Sequence, residues 1–319
     1  MKELKGFLHG VNLGGWMSQC DYSPERLDHF IEEADFRKIA SWGLDHVRLP
    51  FDFNVVETYD GSAYLPEGFD RIARAIRLAK ENGLNIILDL HKTAGFSFDS
   101  GEKETGFFES ADYQERFCRL WEEMAGRFGN DPDHVAFELL NEVTDESYGP
   151  VWNRIAAECI RRIRRIAPET IILVGSYWNN HASAVKSLDP PADDRIVYNF
   201  HSYDPLHFTH QGAYWVHRED FDRQHRESFA ESGATEEYFE SLFAEAIETA
   251  KKNGTVLYCG EYGVIEHVSP EDTLQWFTTI SRVFNRHGIG RAAWTYRGMD
   301  FELCGERMQP VIDRLVKVM

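Results

Sequence analysis

Short apolar runs recur along this chain at 7–12, 46–49, 85–90, 135–140, 171–174, 196–200, 256–260 and 291–294, and amphipathic stretches separate them. Strands that alternate with helical segments form parallel sheets, because each crossover must carry the chain back to the same end of the sheet. The segment 69–82 sets Ile72, Ala75, Ile76 and Ala79 at helical spacing, and Asn82-Gly83 supplies a stop signal. Segments 115–128 and 152–166 read the same way. Eight such units in 319 residues predict one α/β domain over 1–319, a (β/α)8 TIM barrel. A doubly wound sheet fits less well, since no Gly-x-Gly-x-x-Gly turn follows the first strand. Gly10-Val-Asn-Leu-Gly-Gly15 comes nearest, and is predicted to be a tight turn bringing Trp16 over the barrel mouth.

One interval breaks the spacing. Residues 203–252 put roughly fifty positions between the sixth and seventh strands, far more than an ordinary connection needs. The first half carries His207, His210, Tyr214, Trp215 and His217, and the second half, 236–251, has a helical pattern. Loops that follow barrel strands lie on the catalytic face, so a small inserted subdomain walling one side of a cleft is expected. A metal site is the competing reading of these histidines, against which stands the lack of His-x-x-x-His or His-x-His spacing.

The formal charge of −19 argues against nucleic acid and anionic membrane surfaces as partners. A neutral polymer meets no such repulsion. Eight tryptophans suit a protein that stacks rings, although core packing would use them equally well. The five cysteines (Cys20, Cys118, Cys159, Cys259, Cys304) are scattered and form no Cys-x-x-Cys pair, so reduced thiols are expected. No run reaches the length of a membrane span, and the first ten residues lack an uninterrupted apolar stretch. The expectation is a cytoplasmic monomer, or a secreted protein if an export signal has been removed.

Two glutamates carry the chemistry. Glu142 closes Phe137-Glu-Leu-Leu-Asn-Glu142, and Glu261 lies in Val256-Leu-Tyr-Cys-Gly-Glu-Tyr-Gly263. Carboxyls at the carboxyl ends of barrel strands sit where such folds react, and a pair can share acid, base and nucleophile roles in acetal hydrolysis. Glu142 fits the acid and Glu261 the nucleophile. Strand alternation puts Glu138, Leu140 and Glu142 on one face, so Glu138 points into the barrel and needs a cation. Arg48 can serve Glu138 or Glu261. Asn141 can donate to a sugar 2-hydroxyl, His91, His201 and Tyr203 reach the same rim, and Trp294 offers a flat face for a sugar ring. Trp16, Trp178, Tyr203 and Trp215 are candidates for stacking further sugars, with core packing as the alternative for Trp178.

Together these residues resemble glycoside hydrolase family 5, cellulase family A, across nearly the whole chain. The resemblance runs from Gly10-Val-Asn-Leu-Gly-Gly-Trp16 through Val47-Arg-Leu-Pro-Phe51, Leu88-Asp-Leu-His91, Phe137-Glu-Leu-Leu-Asn-Glu142, Tyr198-Asn-Phe-His-Ser-Tyr203 and Gly260-Glu-Tyr-Gly263 to Ala293-Trp-Thr-Tyr296. Within the family the resemblance is to clostridial endoglucanase C-type enzymes. The resemblance implies Glu142 as general acid/base and Glu261 as nucleophile, with Arg48, His91, Asn141, His201, Tyr203 and Trp294 shaping the subsite of the attacked sugar. It implies a retaining endo-β-1,4-glucanase, acting on cellulose-type or mixed-linkage β-glucan without metal or cofactor. Many relatives have proline where Val143 stands, which bears on loop shape rather than chemistry. Mannan, xyloglucan and β-1,3-glucan are alternative substrates. A metal-dependent barrel hydrolase using His91, His201 and a carboxylate, or a silent glycan-binding barrel, are the rival classes.

Overall fold

The computed structural model describes residues 3–99, 104–216 and 221–319, so His217 lies outside the described residues. Eight parallel strands close a barrel in chain order: β1 (His9–Asn12), β2 (His46–Asp52), β3 (Asn85–Lys92), β4 (Val135–Glu138), β5 (Ile171–Val174), β6 (Ile196–Ser202), β7 (Val256–Tyr262) and β8 (Gly290–Ala293). Each strand is almost wholly buried, because inward faces fill the barrel and outward faces meet helices. That explains why the sequence shows continuous apolar runs rather than alternation.

The predicted helices form at Pro66–Glu81, Ala111–Phe128, Gly149–Ile166 and Glu236–Asn253. Ile72, Ala75 and Ala79 face the core, and Gly83 follows at φ +71°, where glycine carries no side-chain strain. The helix Glu236–Asn253 starts at a Thr235 cap and packs Phe243 against Phe200 of β6 and against Phe284. It belongs to the helical layer of the barrel, and the irregular part of the connection is the stretch before it.

Side chains two residues apart along a strand share a face, and this period stacks the barrel interior in layers. Ile87, Ala136, Leu173, Val197, Tyr258 and Ala292 form an apolar cluster. Two residues further along four of those strands stand Asp89, Glu138, Asn199 and Gly260. An apolar plug therefore supports a polar layer of barrel side chains.

Trp16 departs from expectation. Gly15 at φ +70° turns the chain back, Trp16 is fully buried, and its Nε1 donates to the Leu27 carbonyl at 2.9 Å. It is core, with no face for a sugar. The five cysteines are free, as their spacing suggested.

Candidate active site

Arg48 stands inside β2 rather than at its end, since the strand runs on to Asp52. It is fully buried, which would be prohibitive for an unpartnered cation. Nε and Nη2 grip both oxygens of Glu138 at 2.7 and 2.8 Å, and Nη1 donates to Glu261 Oε1 at 2.7 Å and to Asn12 Oδ1 at 2.9 Å. Nη2 also donates to Asn141 Oδ1 at 2.9 Å and lies 3.0 Å from Asp89 Oδ2. One guanidinium thus serves both glutamates that the sequence offered it as alternatives. Burial works against its charge, yet Asp89, Glu138 and Glu261 together raise its pKa above the usual range. Its planar fork of five donors suits this task in a way a lysine would not.

Asn199 Nδ2 adds a donor to Glu138 Oε1 at 2.8 Å, and Asn12 Nδ2 donates to carbonyls of Gly260 and Ala292 at 3.0 and 3.1 Å. These groups, with Asp89, fix the fork and were missed as site residues in the sequence. Strand parity held the signal: Asn12 pairs in register with Arg48, and Asp89 with Glu138.

Glu261 sits on β7, opposite His201 across a bulge in the β6–β7 ladder. The glycines around it permit close approach. A Cβ at Gly260 would lie 2.8 Å from Asn199 Oδ1 and 2.9 Å from His201 Nε2, and one at Gly263 would lie 2.3 Å from the Trp294 carbonyl. Arg48 holds Oε1, and the Tyr203 hydroxyl donates to Oε2 at 2.8 Å. Burial and the neighbouring Glu261 and Glu142 push the Tyr203 phenol well above its ordinary pKa, so it stays a donor.

Glu142 is held differently. The ladder of β4 stops at Glu138, short of the predicted 140, and beyond it only single backbone bonds steer the chain: Leu139 N–H to Leu173 O and Asn141 N–H to Leu90 O. Strand alternation therefore lapses, and Asn141, rather than Leu140, joins Glu138 on Arg48. Glu142 then projects to meet Asn179 Nδ2 at 2.9 Å and His201 Nδ1 at 2.8 Å. Burial pushes its carboxyl up to about 7, with the Asn179 hydrogen bond and Arg48 pulling the other way. Burial also holds His201 down to about 4, despite Glu261 beside it, so the ring is neutral near pH 7. Asn180 Nδ2 faces His201 Nε2 at 3.5 Å, which leaves Nδ1 to carry the proton and donate to Glu142.

The remaining candidates divide. His91, on β3, shares a hydrogen bond with Asp89 at 2.5 Å, is held down to about 3 by burial, and lies parallel to the Trp294 ring at 5.7 Å between centroids. Trp294 follows β8 and is 6% exposed. Trp178 is 49% exposed, beyond the core reading, and stands in a run of three left-handed residues, Trp178, Asn179 and Asn180. That strained run aims Asn179 at Glu142, a role with no local sequence signal. Trp215 is half-buried, near His210 and Phe301. Asn141 Nδ2 is buried and has no hydrogen-bond partner among the described residues.

One oxygen each of Glu142 and Glu261 and one nitrogen of His201 all lie within 4.8 Å of one another. Among the described residues His91 joins no such three-donor set with His201, so the metal-hydrolase grouping is not assembled.

Protein-family comparison matches residues 6–300 to Cellulase (glycosyl hydrolase family 5). The chain belongs to glycosyl hydrolase family 5. Among curated members, Cellodextrinase A of Ruminococcus flavefaciens is 57% identical over 291 residues, covering 91% of this chain and 86% of that protein. Endoglucanase C of Acetivibrio thermocellus is 35% identical, covering 98% of each. The endoglucanase Cel5A of Thermotoga maritima superposes with a TM-score of 0.82 at 24% identity, covering 98% of this chain and 97% of that one, which shows a shared fold. The protein is thus a glycoside hydrolase, and no described helix is long and apolar enough to cross a membrane.

Proposed function

We propose that the protein hydrolyses β-1,4 bonds of glucan chains with net retention, using Glu261 as nucleophile and Glu142 as general acid and then base. The observation that carries this is the 4.8 Å limit on the separation of the two carboxylate oxygens. Carboxyl groups about 5–5.5 Å apart belong to retaining pairs, while inverting pairs need roughly 6.5–9.5 Å for a water. The environments divide the labour. Glu261, gripped by a cation and a phenol, is an aimed carboxylate. Glu142, desolvated and touched only by neutral donors, keeps a proton to about pH 7 for the leaving oxygen.

In the first step Glu261 attacks the anomeric carbon while Glu142 protonates the departing oxygen. In the second, ionised Glu142 takes a proton from water, which displaces Glu261. Asn141 Nδ2, buried without a hydrogen-bond partner among the described residues, donates to the sugar 2-hydroxyl, a contact that strengthens as charge develops. His91 and Trp294 flank the same sugar, and Trp178 stacks one further along. The described part of the irregular stretch before the helix Glu236–Asn253 walls the cleft, with Tyr203 as the part that touches Glu261.

Endoglucanase and cellodextrinase relatives both support a β-1,4-glucan substrate. Incubation with cellohexaose, carboxymethylcellulose, lichenan, laminarin and mannan, with NMR of the first-formed anomer, tests the reading. It expects β-anomeric products from the first three; α-products, or preference for laminarin or mannan, would refute it.

A further inference from the structure

A second donor cluster lies in the connection between β6 and β7. His207 belongs to the short helix Leu206–Thr209, and Glu227 receives it and His225 on its two oxygens at 2.5 and 3.1 Å. One ligating atom from each of the three residues lies within 4.8 Å of the other two. The Glu227 side chain is only 8% exposed, whereas those of His207 and His225 are 55% and 46% exposed. The acid is therefore fixed while the rings can turn. Gln211, 2% exposed, clamps the Glu227 backbone, accepting from its N–H and donating to its carbonyl, each at 3.1 Å. Folding alone has brought the two segments together, which removes the ordering cost a ligand would otherwise meet.

We propose that His207, His225 and Glu227 form a zinc site that braces this wall of the cleft. Two imidazoles and one carboxylate are the donors zinc favours, whereas calcium and magnesium prefer oxygen alone. Ligand bonds of about 2.0–2.2 Å require the exposed rings to close in by a small rotation, with water completing the tetrahedron. The brace acts close to the reaction: Thr209, on the same helix, donates to the Tyr203 carbonyl and accepts from Ile265 N–H at 2.9 Å. Short spacing motifs could not reveal it, because the fold rather than the local sequence joins His207 to His225.

Zinc titration calorimetry and thermal unfolding of the full chain carrying Glu142→Gln test the proposal, the substitution weakening the competing set of Glu142, His201 and Glu261. One equivalent of zinc should bind and raise the Tm. In that background His207→Ala, His225→Ala and Glu227→Gln should each weaken binding by more than about tenfold and remove the Tm rise. With Glu142 intact, His207→Ala and His225→Ala should leave turnover without zinc unchanged. Absence of saturable binding, or binding that survives all three substitutions unaltered, would overturn it.

Discussion

The two carboxylates proposed to react occupy opposite kinds of structure. Glu261 lies within a strand ladder, and Arg48 links it to Asn12, Asp89, Glu138 and Asn141 from three other parts of the barrel. Glu142 lies beyond the last ladder residue of β4, steered by Asn179 on a left-handed turn and by His201. On the proposed roles, the contrast teaches that one pair can draw rigidity and charge from the core on one side and a tunable proton from a loop on the other. A nucleophile must be aimed and charged, whereas an acid must change state in every turnover.

Substitutions should expose that difference in order of size. Glu261→Gln should cost about 10⁴-fold or more in kcat on every substrate, activated or not, as measured by steady-state assays. Arg48→Ala leaves clustered carboxylates buried without their cation, so denaturant unfolding should show a loss of about 3–5 kcal/mol, which no substitution near Glu142 should match. Glu142→Gln should lower hydrolysis of cello-oligosaccharides by about 10²–10⁴-fold and spare glycosylation by aryl cellobiosides with good leaving groups. It should also remove the basic limb of the pH profile for cello-oligosaccharides, which in the parent falls above about pH 7 as Glu142 loses its proton.

Asn179→Ala gives a smaller and more diagnostic effect. Asn179 donates to Glu142 and so favours the ionised form, and its loss should move the basic limb to higher pH. A rate change with an unmoved limb would reduce Asn179 to packing. Trp178→Ala should raise KM by about tenfold or less on long oligosaccharides and leave the shortest substrates unaffected, since a single stacking contact is worth about 0.5–1.5 kcal/mol.

The same contrast explains what the sequence disclosed. Strands, helices and the inward placing of Glu138 follow from periods of 2 and 3.6, which bury apolar faces and need only local reading. The eight strand runs were legible on those grounds, and so was Arg48 as a partner for Glu138 or Glu261, which the sequence offered as alternatives and the structure joins on one guanidinium. Two misreadings arose where the period lapsed. Residues 139–142 leave the ladder, so parity fails for Asn141, and Gly15 folds Trp16 inward. Asn179 was invisible because its role depends on a loop from β5 reaching a residue after β4, a meeting set by the closed barrel and not by either segment. Histidine spacing likewise failed to join His207 with His225, for the same physical reason.

Covalent trapping tests the central claim most directly. Incubation with an activated 2-deoxy-2-fluoro-β-cellobioside slows the second step more than the first, so a glycosyl-enzyme should accumulate, and peptide mass spectrometry should place one sugar adduct on Glu261. An adduct on Glu142, or continued turnover with no adduct, would contradict the assignment of nucleophile and acid to these two side chains.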